Sequence, residues 1–348
     1  MSHSKKMPAR LQSYIVKKNK PPSPSIVRMM EKRQLLLDKV LFLNHKKKEC
    51  GVYQYGKRLW GILKNCNRIS YDYREIENEK EYKEFINTVA YKAIIYNYHV
   101  ATMPWLSRKT IDTTRNNIGI LHECDNHLFN KGISIDPTIQ ETTTLFRIPR
   151  PTIETMPMSK TCETDLFTQF VNFHENDTPI FGSFGFGFDN KGFPKIVRMI
   201  NEQYDKAIIK FVIPHAVFDP NPNTVQNVYT QCLEQNIKKD IVLMIHTEFV
   251  SEHDLLNFLR SNTMNIFLYD NLHGRGISST IDYALSVRKP LGISDSFMFR
   301  HIYSDEICLY KNSIQKCMEN SLAYCEKFLS LYSHKNMIDK FHHIIHSP

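Results

Sequence analysis

The sequence predicts an α/β protein built as two Rossmann-like, doubly wound halves, each around a parallel sheet. From about residue 180 onward, short apolar runs alternate with amphipathic stretches, the pattern of βα units on a sheet buried on both faces. The first half repeats that alternation less regularly. The 348 residues, 42% of them hydrophobic and 23% charged, have the composition of a globular chain. At roughly 100–200 residues per domain, they leave room for two cores.

In chain order, strands are expected at 40–43, 68–73, 93–98 and 118–122, with helices at 55–64 and 80–91. Residues 136–157 hold Pro137, Pro149, Pro151 and Pro157 with few charges and read as the connection between halves. Strands then follow at 178–183, 208–214, 240–246, 265–270 and 290–294. Helices are expected between them at 191–203, 225–237, 252–260 and 278–287. Helical patterns at 310–331 and 336–345 end the chain and would pack back across the junction. The boundaries implied are a basic arm over 1–35, a first half over 36–157, a second over 158–330 and a closing helix over 331–348.

The charge is unevenly placed. Residues 1–48 hold thirteen Lys/Arg against Glu31 and Asp38, while the remainder of this +9 chain nets −2. With its Pro21-Pro22-Ser23-Pro24-Ser25 run, the basic part reads as a solvated arm or as an attachment to an anionic membrane surface or polyanion. Each clustered Lys/Arg is worth about 1 kcal/mol near such a surface. A nearly neutral body lacks the basic face that tracks a duplex, so nucleic acid is not the expected partner. No stretch approaches the ~20 apolar residues of a membrane helix, and the N-terminus has no apolar leader. The eight Cys fall at irregular spacings without a CxxC pair. Together these imply a cytoplasmic chain, peripheral to a membrane at most, without structural zinc. No HExxH, GxSxG, P-loop or DxD-type motif points to protease, esterase, kinase or metal-dependent transferase chemistry.

Two loops carry the strongest chemical signal. Ile180 to Phe193, IFGSFGFGFDNKGF, spends four of the chain's 12 glycines (Gly182, Gly185, Gly187, Gly192) between a strand and a helix. Such a backbone either turns tightly for packing or brings N–H groups to phosphate oxygens, with Lys191 adding a point charge for a diphosphate. It is not a GxGxxG fingerprint. The second loop, within YDNLHGRGISSTIDYAL, runs through Gly274, Arg275, Gly276 and Ile277 to Ser278 and Ser279, which fit helix N-cap positions. This is an anion site by dipole and amide geometry or an ordinary capped helix, and Asp282 one turn later would reach sugar hydroxyls. Parallel strands aim both loops at one crevice.

In the first half, three loops end strands with polar groups: Gly51, Tyr53, Gln54 and Tyr55; then Asn97 and His99; then His122 with Glu123. His122 and Glu123 read either as a general base with its orienting partner or as satisfied strand-end residues. Met103-Pro104-Trp105-Leu106 reads as packing or a stacking platform. Ser294-Asp295-Ser296 with Arg300-His301 reads as a polar loop lining the cleft or as caps. His342, His343 and His346 share a helical face, as a metal trio or a solvated helix.

These residues resemble the GT-B glycosyltransferases, and the C-terminal half is similar to the family-4 type over roughly residues 38–345. In that family a G-R-x-x-x-x-K-G loop binds the donor diphosphate; Gly182, Lys191 and Gly192 match it, and Ser183 replaces the arginine. The family's E-G-F-G-x-x-x-x-E-A signature corresponds to His273-Gly274-Arg275-Gly276 through Asp282, so the first acid is His and the second lies one residue late. The resemblance implies two Rossmann-like domains facing across a cleft. It implies sugar transfer from a nucleotide-sugar co-substrate to a glycan, lipid or protein acceptor, with retention and without a metal or other cofactor. The alternatives are a degenerate GT-B module that binds nucleic acid or membrane through its basic arm, or a DNA-modifying glucosyltransferase. The donor would bind Gly182, Ser183, Gly185, Lys191, Gly192 and the 274–279 loop with Asp282, and the acceptor would lie against Gly51, Tyr53, Gln54, Tyr55, Asn97 and His99. His273, His122 and Glu123 would serve as the catalytic groups.

Overall fold

Why these runs become two sheets is visible in the computed structural model, which describes residues 37–86, 90–122, 128–153, 159 and 161–348. The first sheet has the order β2-β1-β3-β4-β5-β6, from β1 (Asp38–Asn44), β2 (Ile69–Glu75), β3 (Ala93–Tyr98), β4 (Asn117–Leu121), β5 (Lys131–Ser134) and β6 (Leu145–Arg147). The second has the order β11-β10-β7-β8-β9, from β7 (Ile180–Phe184), β8 (Ala207–Val212), β9 (Ile241–His246), β10 (Met264–Phe267) and β11 (Leu291–Ile293). Pairing is parallel from β1 through β6 and throughout the second sheet. In β3 and β8 every residue is buried, because helices cover both faces; hence the continuous apolar runs in place of alternation.

Most of the helices are amphipathic, and four of the described α-helices carry a side-chain N-cap. Helix α1 (Gly51–Leu63) puts Tyr55, Leu59, Ile62 and Leu63 on the first sheet, and α2 (Glu79–Ile86) puts Tyr82 and Ile86 on the opposite face. In the second half, α3 (Asp165–Asn172) is capped by Thr164 and α6 (Glu252–Ser261) by Ser251, while α4 (Phe193–Gln203) buries Phe193, Ile196, Val197 and Ile200 at helical spacing. Helices α5 (Thr224–Gln235) and the seven-residue α7 (Thr280–Ser286) complete the second layer. After α8 (Ile314–Leu331), helix α9 (His334–His346) returns to the first sheet. There Met337, Phe341, Ile344 and Ile345 share one core with Tyr55, Leu59 and Ile62.

The differences from expectation are local. Gly51, Tyr53, Gln54 and Tyr55 lie within α1, not in a loop, because the apolar face begins at Tyr53. The expected connection over 136–157 contains β6, an edge strand of three residues that adds to the sheet before the chain crosses. The expected helix at 80–91 is described to Ile86, and residues 87–89 lie outside the described residues. The arm over 1–35 also lies outside them. Met103 and Leu106 are packed in the core with Trp105 against them. The His342 and His346 rings stack 4.4 Å apart, and no group of three metal-capable side chains occurs among the described residues. Nor is any helix among those residues long and apolar enough to cross a membrane.

Candidate functional site

Strand order reverses between β7 and β10 in the second sheet and between β1 and β3 in the first. Crevices at the carboxyl ends of such strands are where open α/β sheets bind ligands.

At the β7/β10 crevice the two glycine-bearing loops meet. Beyond β7 the chain turns at Gly185, with φ of 151°, and its N–H donates to the Val212 carbonyl at 3.1 Å. A short 3-10 turn, Asp189–Lys191, is closed by Gly192 at φ 69°, so Lys191 precedes α4 rather than starting it. The Lys191 ammonium sits 3.9 Å from the centroid of the Tyr269 ring. The Tyr269 hydroxyl donates to Thr280 Oγ1 at 3.3 Å, and Ser278 Oγ lies 2.8 Å from the same oxygen. Gly185, Lys191, Tyr269, Ser278 and Thr280 are thereby drawn into one polar rim. Lys195 is ion-paired with Asp270, whereas Lys191 has no carboxylate partner among the described residues. The Ser183 hydroxyl, at the end of β7, is buried without a hydrogen-bond partner among the described residues.

Several donor-side assignments change. A Cβ on Gly182 would come within 1.8 Å of Asn262 Nδ2, and one on Gly192 within 2.0 Å of the Leu268 carbonyl oxygen, so both glycines serve packing inside the chain. Gly274, at φ 79° with nothing within 4 Å of its missing Cβ, is the open one. Ser279 precedes α7 but makes no side-chain cap bond, and Ser278 spends its hydroxyl on Thr280. Ile277 is buried, the Arg275 carbonyl accepts from Arg300 Nη1 at 3.4 Å, and Gly276 joins them in the same loop. His273 is exposed, its ring 5.9 Å from that of Phe297. Nearby, Asn271, Asp295, Ser296, Phe297, Arg300 and Tyr303 line a cleft of about 250 Å³.

Asp282 is not available to a ribose. It is 0% exposed, and its carboxylate accepts from Arg150 Nε at 2.9 Å, Arg150 Nη2 at 2.7 Å and Arg58 Nη1 at 3.2 Å. Burial disfavours the charged Arg150, but the Asp282 carboxylate outweighs it and holds the guanidinium protonated, its pKa raised. Arg58 also faces Glu252 at 3.6 Å and the Tyr283 ring at 4.2 Å. A second tie joins Arg300 to Asp136, with Nε at 2.9 Å. Arg58, Arg150, Asp136 and Arg300 went unread in the sequence as a group. The available signal was an arginine on the apolar face of α1, three residues after Tyr55, and another between Pro149 and Pro151.

At the first sheet, Asn44, Asn97 and His122 form a closed network across the ends of β1, β3 and β4. Asn97 Nδ2 donates to Asn44 Oδ1 at 2.9 Å and to the Val52 carbonyl at 2.7 Å, and His122 Nε2 donates to Asn97 Oδ1 at 2.7 Å. Burial, with Arg150 close by, pushes the His122 pKa down to about 3. The ring is therefore neutral and unsuited to a general acid or base near neutrality, contrary to expectation; Glu123 lies outside the described residues. Tyr53 donates its hydroxyl to Glu75, Gln54 donates to the Lys48 carbonyl, and His99 Nδ1 accepts from the Ala101 N–H. The Tyr55 hydroxyl is buried with no partner among the described residues, its ring edge-on to His122 at 5.0 Å.

No family model and no curated protein matches the chain. Solved structures do. HepE of Anabaena in complex with UDP-glucose is 11% identical with a TM-score of 0.60, the match covering 89% of this chain and 100% of that one. A glycosyltransferase from Rickettsia africae is 12% identical with a TM-score of 0.57, over 89% and 98%. An alpha-glucosyltransferase in complex with UDP and a 13-mer DNA is 9% identical with a TM-score of 0.55, over 89% and 99%. At these identities the likeness is one of fold: over 89% of the chain the two parallel sheets match the GT-B arrangement of those structures.

Proposed function

We propose that the protein transfers a sugar from a nucleotide-sugar to a glycan, lipid or protein acceptor. The observation that carries this reading is Lys191: a cation held over Tyr269, without a carboxylate partner among the described residues, at the β7/β10 crevice. There it would neutralise the leaving diphosphate as the glycosidic bond breaks, the role that preorganised charge plays in such transfers. Support also comes from the fold shared with HepE, which was solved with UDP-glucose. The donor is assigned to the second half, over 158–330, with Gly185, Gly274 and Ser183 as its remaining contacts. The acceptor is assigned to the first half, over 36–157, on which residues 331–348 pack. His273, exposed on the open loop, is the group assigned to face the transferred sugar.

The test is calorimetric titration with UDP, UDP-glucose and uridine. Lys191→Ala should weaken UDP by roughly tenfold or more, the ~1.5–3 kcal/mol of a charge-assisted contact, while uridine is unaffected. Equal loss for UDP and uridine would remove the phosphate role, and no binding of any nucleoside diphosphate or its sugar would overturn the reading.

A further inference from the structure

The carboxyl edge of the first sheet gathers hydrogen-bond donors, several of them without acceptors among the described residues. Between β1 and β3, the loop His45-Lys46-Lys47-Lys48-Glu49-Cys50 leads into the 13-residue helix α1. Cys50 makes no side-chain cap bond, and the first turn has no acidic residue. The Gly51, Val52 and Tyr53 N–H groups donate to nothing among the described residues. Lys46 is paired with Glu81 at 2.7 Å, while Lys47 and Lys48 are exposed and have no carboxylate partner among the described residues, Lys47 Nζ donating only to the Ala101 carbonyl at 3.5 Å. The nearby Glu75 already accepts the Tyr53 and Tyr73 hydroxyls, at 2.7 and 3.0 Å.

His45 supplies the second, independent observation. It is 1% exposed, and its ring lies edge-on to Tyr53 in the first turn of α1, with centroids 5.8 Å apart. Its Nδ1 accepts from the Lys47 N–H at 3.1 Å, so the proton of the neutral ring is on Nε2. That Nε2 is buried and has no partner among the described residues. An orphaned buried donor is costly and calls for an oxygen to receive it. Helix amides and an imidazole N–H at a topological switch point, with Lys47 and Lys48 in the exposed loop that joins them, form an anion receptor by charge and by hydrogen-bond sense.

We propose that this β1/β3 edge binds a phosphate or carboxylate group, and that the group is carried by the acceptor. The anion site rests on its own geometry; its assignment to the acceptor rests on the function proposed above, which puts the donor diphosphate at the other sheet.

The full chain, with and without saturating UDP, should be titrated with inorganic phosphate, glucose 6-phosphate and glucose. Binding to phosphatidylcholine vesicles with and without phosphatidylinositol should be measured in parallel. We expect phosphate and glucose 6-phosphate to bind, glucose to bind at least tenfold more weakly than glucose 6-phosphate, and the His45 ring 15N signals to shift on phosphate addition. The surface double variant K47A/K48A, which leaves the core untouched, should weaken glucose 6-phosphate about tenfold without changing UDP affinity, and His45→Ala should do the same. Stronger retention by phosphatidylinositol vesicles, lost in K47A/K48A, would support the anion site with a lipid-borne anion; preference for glucose 6-phosphate would support it with a soluble one. No phosphate binding, or binding indifferent to both variants, would overturn the site. Displacement of phosphate by UDP would overturn its assignment to the acceptor. Failure of UDP alone to bind would count against the proposed function and leave the site standing.

Discussion

The carboxyl edges of the two sheets are built from opposite materials. At the second sheet the chain approaches itself closely, with Gly182 against Asn262 and Gly192 against the Leu268 carbonyl, and the groups left unpaired among the described residues include a lysine over a tyrosine ring and the buried Ser183 hydroxyl. At the first sheet the strand ends are sealed by the bonded Asn44, Asn97 and His122, and the unpaired groups are donors around the start of α1. Between them lies a fully buried ion cluster, Arg58, Arg150 and Asp282, that spends its charge on the chain itself. The contrast teaches that a glycine or a carboxylate in a ligand-like position marks a site only when its neighbours leave it unfilled.

The largest effect should come from breaking that central cluster. Asp282→Asn keeps the shape and removes the charge, leaving two buried guanidinium groups under-compensated. A loss of about 3–5 kcal/mol in urea denaturation is expected, the cost of removing one partner of a buried pair. Replacing all three with apolar residues of similar volume, Arg58→Met, Arg150→Met and Asp282→Leu, should recover most of it. UDP affinity of folded Asp282→Asn should be unchanged; a weakened UDP complex with unchanged stability would return Asp282 to the ribose.

The sealed network of the first sheet should reveal itself through acid. The folded-state pKa of His122 is pushed down to about 3, below the usual histidine value near 6.5. Above 6.5 neither state binds the proton and the contribution to stability is complete. As pH falls from 6.5 toward 3, the unfolded chain takes up a proton that the folded chain refuses, so stability drops. At pH 5 the drop attributable to this one group is about 2 kcal/mol. His122→Gln, compared with the parent chain by urea denaturation at pH 7 and pH 5, should show a pH difference smaller by that amount. An unchanged difference would mean that the ring is protonated in the folded protein.

What the sequence showed and what it hid follow from the range of the interactions. Strand β3 spans Ala93–Tyr98, the residues expected, because six buried residues in a row leave one reading. Strand β6, three residues between prolines at a sheet edge, has too little pattern to stand out. The glycine loops were legible as loops, but not which glycines face a neighbour: Gly182 meets Asn262, 80 residues on, and no local pattern encodes that. Asp282 suffered the same way, since its partners lie 132 and 224 residues away and its motif position suggested a ligand. His45 carries no signal in the sequence, since its missing partner is visible only in three dimensions.

The smallest expected effect separates an open glycine from the packed ones at the second sheet. Gly274 sits at φ 79°, where a side chain is strained, yet nothing lies within 4 Å of the position a Cβ would take. Gly274→Ala should therefore cost only about 1 kcal/mol, the left-handed penalty alone. Gly274→Asn should recover part of it, because asparagine tolerates that region. Gly182→Ala, by contrast, would drive a methyl into Asn262, which is held by Asn265 at 2.9 Å, and should lower the melting temperature well beyond Gly274→Ala. UDP-glucose affinity then gives the discriminating measurement. If the open face of Gly274 receives the donor, Gly274→Asn weakens UDP-glucose by more than its stability loss accounts for, while Gly182→Ala, once folded, binds as the parent does. The reverse order would place the donor on the packed glycines after all and would mean that Asn262 moves aside when it binds.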